Sequence, residues 1–448
     1  MNYQPGVAER LGAYVAELRF EDLTDEVIDH TKDLLIFHLA LMFAGRSTER
    51  GRAALALAAD LSGGGGTSTV IGERTPAVLL EAVAAHVELV GINKDARHLR
   101  SKTTPGRIND PIAWSVGERQ HASGRELIVA SVAGYDVECV LAEPVLGDPY
   151  DRVPHKCAFA SFGGAATAAR LLGHDAERTA RALGRAAHVG MGLNAGLGYA
   201  GTFSAIARSS LVAALSVAPG HSSLLDAIEG PHGLYAALFG GPPSGLEASL
   251  ARLGREHPIM DAVTQRYPGS ATHFAAIDAL RSLVESGGVD PAQVDAVTAH
   301  LPDEFTERFA YVETGMERAR TRDERGGAAA GSLQLKLALL VLDHRITARP
   351  TLEQYEAALA AGMYRRVSLM FEPMPVEAAR VEVRLRNGDV LRADGVIPSQ
   401  PRGDWHAWLH ADGERFLTTT QLDKLERLLT DLEDVPDVGA VLDCTVPV

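Results

Sequence analysis

The sequence predicts a mainly α protein: a large all-helical domain, a smaller α+β domain late in the chain, and a helical tail. Three observations carry this. Apolar residues recur at helical spacing through much of the first 264 residues, β-type alternation is confined to the region after about residue 265, and leucines return to helical spacing near the C-terminus. The expected boundaries are 1–264 for the helical domain, 265–400 for the α+β domain, and 401–448 for a tail that returns to the helical domain.

The elements follow in order. Residues 7–60 read mostly as helices. Thr24 is a candidate N-cap, followed by Asp25 and Glu26, whose charges suit the positive end of a helix dipole. Val27, Ile28, Leu34 and Leu35 then share one side. Gly63–Gly66 is read as a connector, because no Gly-Lys-Ser/Thr follows to cradle a phosphate. Residues 76–92 and 124–143 have helical length and apolar density, and the stretch Asn93–Asp110 between them is polar and charge-rich. Residues 163–173 are mostly small, which lets a neighbouring helix approach, and Gly173 resembles a helix stop. Glycines crowd 190–201, as in a loop.

In the second region a helix is expected at 274–286 and a strand at Val294–Leu301. Thr351 with Gln354 forms a capping-box pattern. The alternating run Arg380–Leu385 meets Asn387-Gly388 and resumes at Val390, a hairpin signal. Leu422, Leu425, Leu428, Leu429 and Leu432 mark the tail helix.

Composition narrows function. The chain has 448 residues, 46% hydrophobic and 23% charged, the balance of a globular protein rather than a disordered one. Its formal net charge of −15 disfavours non-specific nucleic-acid binding, since phosphates would be repelled. The three cysteines, Cys139, Cys157 and Cys444, are scattered and form no CxxC pair, which argues against a disulfide framework or a structural zinc site. No signal-peptide pattern opens the chain, and no apolar run approaches the roughly 18 residues of a spanning helix. The expectation is a cytoplasmic protein without membrane or nucleic-acid partners.

Four ordered segments resemble the MmgE/PrpD family. The first is Asp95-Ala96-Arg97-His98-Leu99-Arg100-Ser101-Lys102-Thr103-Thr104-Pro105, and the second runs from His155 through Phe162-Gly163-Gly164-Ala165-Ala166 to Leu171-Leu172-Gly173-His174-Asp175. The third comprises Ala182-Leu183-Gly184, Gly201-Thr202 and Glu229-Gly230-Pro231-His232-Gly233, and the fourth is Arg266-Tyr267-Pro268, His273 and Ile277-Asp278. The resemblance implies an MmgE/PrpD-like fold, usually homodimeric, with an active site in a cleft between the two domains. It implies lyase or isomerase chemistry on a small carboxylate, such as dehydration of methylcitrate-type acids, decarboxylation of cis-aconitate or epimerisation of an imino diacid. It also implies no metal and no organic cofactor.

The departures from the family pattern matter as much. Asn93 stands where the family has an acid, Ala96 where it has a second Asp, Arg97 where it has Thr, and Thr104 where it has the His of a His-Pro pair. The family's Lys-Arg-Leu-His run reads Ala205-Ile206-Ala207-Arg208, and its Tyr aligns with Leu335, beside Lys336. A dehydratase needs both a base for the α-proton and an acid for the leaving hydroxyl, and most of the usual groups for these roles are gone.

His273 is the clear survivor and the first candidate for moving a proton, with His155 and Asp95 as further catalytic candidates. Asp95 is equally readable as an Asx turn, and His155 as a helix cap. His98, Arg100, Lys102, Arg208 and Lys336 are candidates for holding carboxylate oxygens. The competing readings are a solvated loop for the first three, a salt bridge for Arg208 and an exposed helical stripe for Lys336; the last is the favoured reading of that residue. The expected function is a divergent lyase or isomerase of a carboxylated small molecule, with specialised metabolism as the setting the altered residues suggest. A cyclase or isomerase that acts by pocket shape and a non-catalytic binding homologue stay open.

Overall fold

The computed structural model describes residues 4–91, 96–145, 158–188, 201–217, 225–264, 273–343, 351–397 and 405–448. Helices dominate, with small sheets. The chain divides into two compact units: Met1–Asp148 with Arg152–Thr264 and Arg402–Val448, and Gln265–Pro401 with Pro149–Asp151. Among the described residues, no helix is long and apolar enough to cross a membrane.

The first unit is built around the helix Gly124–Ala142. Ser123 and Glu126 start it as a capping box, and every residue from Leu127 to Ala142 is buried. A helix apolar on one face only could not sit there; this one is covered on all sides. The helix Ala160–Leu171 packs along it. Small residues make that approach possible: a Cβ on Gly134 would lie 2.0 Å from Thr167 Oγ1. The helix Asp25–Arg46 begins at Thr24, whose side chain accepts from the Val27 N–H at 3.4 Å. The helix Leu79–Val90 also belongs to this core.

The helix Gly106–Gln120 takes the end of the polar, charge-rich stretch Asn93–Asp110 into the interior. Its residues Gly106 to Gly117 are all buried, including Asn109 and Asp110. The Asp110 carboxylate accepts from Ser131 Oγ at 3.0 Å and from Tyr135 Oη at 3.3 Å, and lies 2.6 Å from His38 Nδ1. Asp110 is thus an interior group with partners from two other helices, so polarity did not signal solvent. Helical periodicity also concealed a short ribbon, in which β1 (Ala96–His98) pairs antiparallel with β2 (Ala262–Thr264).

The tail belongs to this unit. Helices run over Trp405–Gly413 and Thr419–Thr430, the second opened by a Thr418/Gln421 capping box with Leu422, Leu425 and Leu429 buried.

The second unit holds a four-stranded mixed sheet. Its strands are β3 (Val294–Pro302), β4 (Val367–Glu372), β5 (Ala378–Leu385) and β6 (Val390–Val396), in the order β4-β3-β5-β6. β3 is parallel to β4 and antiparallel to β5. The β5–β6 hairpin turns at Asn387-Gly388, where Gly388 has φ +94°, a conformation that favours glycine. The helix Phe274–Glu285 packs on β5 and β6, and the helix Leu333–Asp343 packs on β4.

Candidate active site

In the second unit the residues with chemical capacity meet where two helices begin. His273 is the residue just before the helix Phe274–Glu285, and it is 3% exposed. Lys336 lies in the first turn of the helix Leu333–Asp343 and is wholly buried. The Lys336 Nζ is 3.4 Å from His273 Nδ1 and 3.4 Å from the Ser332 carbonyl. The burial corrects the expectation of an exposed stripe. Leu333, Leu335, Leu337 and Leu339 are buried as well, so this helix is covered all round and its lysine goes inside with it.

Burial takes the ammonium out of water and pushes Lys336 down to about 8, while the Glu313 carboxylate pulls the other way. A place in the first helical turn, at the positive end of the helix dipole, also disfavours a positive charge. Glu313 comes from the helix Thr306–Glu313 and covers that same turn. It accepts from the Leu333 N–H at 2.7 Å and from the Ser332 hydroxyl. Burial raises Glu313 above the usual carboxylate range, opposed by these donors and by Lys336. The Phe309 ring lies over His273, with centroids 5.3 Å apart. The result is an amine and an imidazole in contact, within a largely apolar surround and with a carboxyl on the same helix start.

In the first unit, β1 leads through a turn into the helix Gly106–Gln120. Here the charged segment is interior rather than solvated: Arg97, His98 and Lys102 are buried, and Arg100 is the exposed member. Lys102 has φ +56°, in the left-handed region that costs a non-glycine residue roughly 1 kcal/mol or more. His98 Nδ1 lies 2.7 Å from Ser101 Oγ and accepts from the Ser101 N–H at 3.0 Å. Ser101 Oγ is 2.7 Å from Thr103 Oγ1.

On its other side, His98 Nε2 lies 3.5 Å from Glu143 Oε1 and 3.9 Å from Asp261 Oδ2. Arg252 holds the other Glu143 oxygen, and Arg100 Nε is 3.5 Å from Asp261 Oδ2. Burial, helped by the Arg100 and Arg252 charges, pushes His98 down to about 3 against the weak opposing pull of the Pro258 carbonyl, so the ring is neutral. Deeper in the same unit sits Glu138, pushed up to about 8 by complete burial, with Thr103 and Asn109 acting in the opposite direction.

Arg208 is already engaged. Its Nε donates to Glu81 Oε1 at 2.9 Å and its second nitrogen reaches Oε2 at 2.5 Å, a bidentate fork on a mostly buried carboxylate. Asp95, His155 and Cys157 lie outside the described residues, as does most of the glycine-rich run 190–201. Sequence reasoning missed Glu313, Glu138, Glu143 and Asp261. No local spacing marks them, because each gains its neighbours only through the tertiary fold.

A search of curated proteins returns no match. The family model described as the MmgE/PrpD N-terminal domain matches residues 9–247. That span covers the central helix, its small-residue partner and the turn that carries His98 and Lys102. The chain therefore belongs to the MmgE/PrpD family, and membership supports a dehydratase- or lyase-like kind of function.

Proposed function

We propose that the protein is a lyase or isomerase that moves a proton next to the carboxylate of a small organic acid, with His273 and Lys336 as the acid–base pair. The observation that carries this reading is the 3.4 Å approach of Lys336 Nζ to His273 Nδ1 in a buried setting. Two cations do not share such a place, so the pair holds a mobile proton. An amine near 8 has both protonation states within reach at working pH, which is what general acid–base catalysis requires.

The chemistry follows. Removing a proton α to a carboxylate builds negative charge on the carboxylate oxygens. His273 takes the proton with Lys336 as the neutral amine beside it, and the single positive charge that forms on the pair lowers the cost of the charge that develops. Arg100 and Lys102, in the first unit, are proposed as carboxylate-binding residues in their own right. Arg208 is a weaker candidate, because Glu81 occupies its fork.

The altered residues, with Leu335 in place of a tyrosine and Ala205 in place of a lysine, favour an acid other than methylcitrate or cis-aconitate. Specialised metabolism is the proposed setting. The test is mass-spectrometric turnover of a panel of di- and tricarboxylic acids in deuterated water. The expected result is product, or deuterium uptake next to a carboxylate, that His273→Ala abolishes. Exchange that survives in His273→Ala, or ordinary turnover of methylcitrate, would overturn the reading.

A further inference from the structure

We infer that His98, Glu143 and Asp261 form a binding site for a divalent transition-metal ion of the zinc type. This goes beyond the proton-transfer reading and does not depend on it. The three side chains come from three separate segments: β1, the turn that ends the central helix, and the 3-10 turn Pro258–Asp261 before β2. Their potential ligand atoms all lie within 4.8 Å of one another. An ion about 2.1 Å from each of its ligands, in tetrahedral arrangement, sets those ligands about 3.4 Å apart. His98 Nε2 and Glu143 Oε1 are 3.5 Å apart, and His98 Nε2 and Asp261 Oδ2 are 3.9 Å apart. The first pair fits as it stands; the second needs a small rotation of Asp261, whose side chain is 42% exposed.

The independent sign of a ligand is the imidazole itself. His98 is wholly buried, and its Nε2, which faces the two carboxylates, makes no well-formed hydrogen bond, with the Pro258 carbonyl only a weak neighbour. Glu143 Oε1, which faces it, is also buried without a hydrogen-bond partner. Leaving such buried atoms without a partner is destabilising. A cation between them satisfies both at once. One nitrogen and two carboxylate oxygens form a donor set suited to zinc, with a further position for water.

The surroundings position these ligands. Arg252 holds Glu143 Oε2 and leaves Oε1 directed at His98. For Nε2 to bind metal, the ring proton must sit on Nδ1, where Ser101 Oγ at 2.7 Å can accept it and turn its own hydrogen to Thr103 Oγ1. The Ser101 N–H at 3.0 Å favours the other tautomer, and the two arginines add repulsion. Both effects weaken the site relative to a dedicated zinc cage. The ion would tie β1 to the end of the central helix and so fix the turn that carries Arg100 and Lys102.

The test uses the full-length protein, stripped with chelator and dialysed against micromolar zinc, with bound metal counted by mass spectrometry and the thermal midpoint followed. The expected result is one zinc ion per chain above the Asp261→Asn and His98→Gln variants, affinity at least about tenfold weaker in each variant, and a zinc-dependent rise in midpoint that the variants lose. Asp261→Asn keeps the shape of a half-exposed side chain, so it decides the matter if His98→Gln fails to fold. Zinc uptake and midpoint indistinguishable between wild type and Asp261→Asn would overturn the site.

Discussion

Lys336 Nζ sits 3.4 Å from His273 Nδ1, inside the second unit, with the lysine wholly buried. The fall of Lys336 to about 8 places its titration inside the range where enzymes are assayed. If the neutral amine is needed to accept the proton, kcat/KM rises with pH and levels off above about 8. Lys336→Arg, which cannot deprotonate in this range, loses that limb along with at least about a hundredfold in rate. The pH–rate profiles of the two proteins measure this, and an unchanged limb in Lys336→Arg would assign it elsewhere.

The same burial weakens the fold. Lys336 falls from the usual 10.5 to about 8, which corresponds to about 3 kcal/mol at most. The folded state holds its proton less tightly than the unfolded chain. The penalty is therefore complete below about pH 8, and it disappears as pH rises from there towards 10.5. Lys336→Met is expected to be inactive yet more stable at pH 7, with the gain shrinking at pH 10. Urea unfolding at the two pH values reads it. A variant less stable at pH 7 would mean that the contact with Glu313 outweighs desolvation.

Local signals were legible in the sequence because their physics is local. Thr24, the Thr351–Gln354 box and the turn at Asn387-Gly388 act within a few residues, so spacing reveals them. His273 was legible only through the family resemblance. Residues whose meaning is set by distant neighbours were not readable. Arg107, Asn109 and Asp110 look like a solvated run, yet they form a buried helix whose Asp110 is partnered from two other helices. Lys336 has the spacing of an exposed residue, and only the covering of its whole helix makes it interior. His98, Glu143 and Asp261 lie far apart in sequence, beyond any motif.

Close helix contact in the first unit makes a testable demand on Gly134. A Cβ there would fall 2.0 Å from Thr167 Oγ1 and 3.0 Å from the Gly163 carbonyl. Gly134→Ala is expected to cost about 1–3 kcal/mol through overpacking. Thr167→Ala removes the nearest clashing atom, so the double variant should recover part of the loss, with a coupling of about 0.5–3 kcal/mol. Additive losses in thermal or urea unfolding would show that the helices separate instead.

Arg208 can be tested as either a substrate holder or a structural pair. Its fork is closed on Glu81, whose side chain is mostly buried. Arg208→Met strands that carboxylate, at a cost of about 3 kcal/mol where burial is complete and less here. A lowered melting temperature, reproduced by Glu81→Gln and accompanied by an unchanged KM, is the expected result. A several-fold rise in KM without a change in melting would instead make Arg208 a substrate ligand.

Glu138 should make the first unit respond to pH in the opposite sense. Complete burial pushes its carboxyl from 4.5 to about 8, so the folded protein keeps a proton that the unfolded chain loses. Stability therefore falls as pH rises through that window, by at most about 5 kcal/mol, and the loss is complete above about 8. Glu138→Gln imitates the protonated form. It is expected to match wild type near pH 5 and to exceed it at pH 9. The Lys336 window begins where this one ends, and there stability rises with pH. Hydrogen exchange read separately on the helix Gly124–Ala142 and on the helix Leu333–Asp343 distinguishes the two. Raising pH from 5 to 8 should speed opening of the first, and raising it from 8 to 10 should slow opening of the second. Parallel responses in both helices would mean that the two units unfold together and that neither buried group sets the pH dependence of its own surroundings.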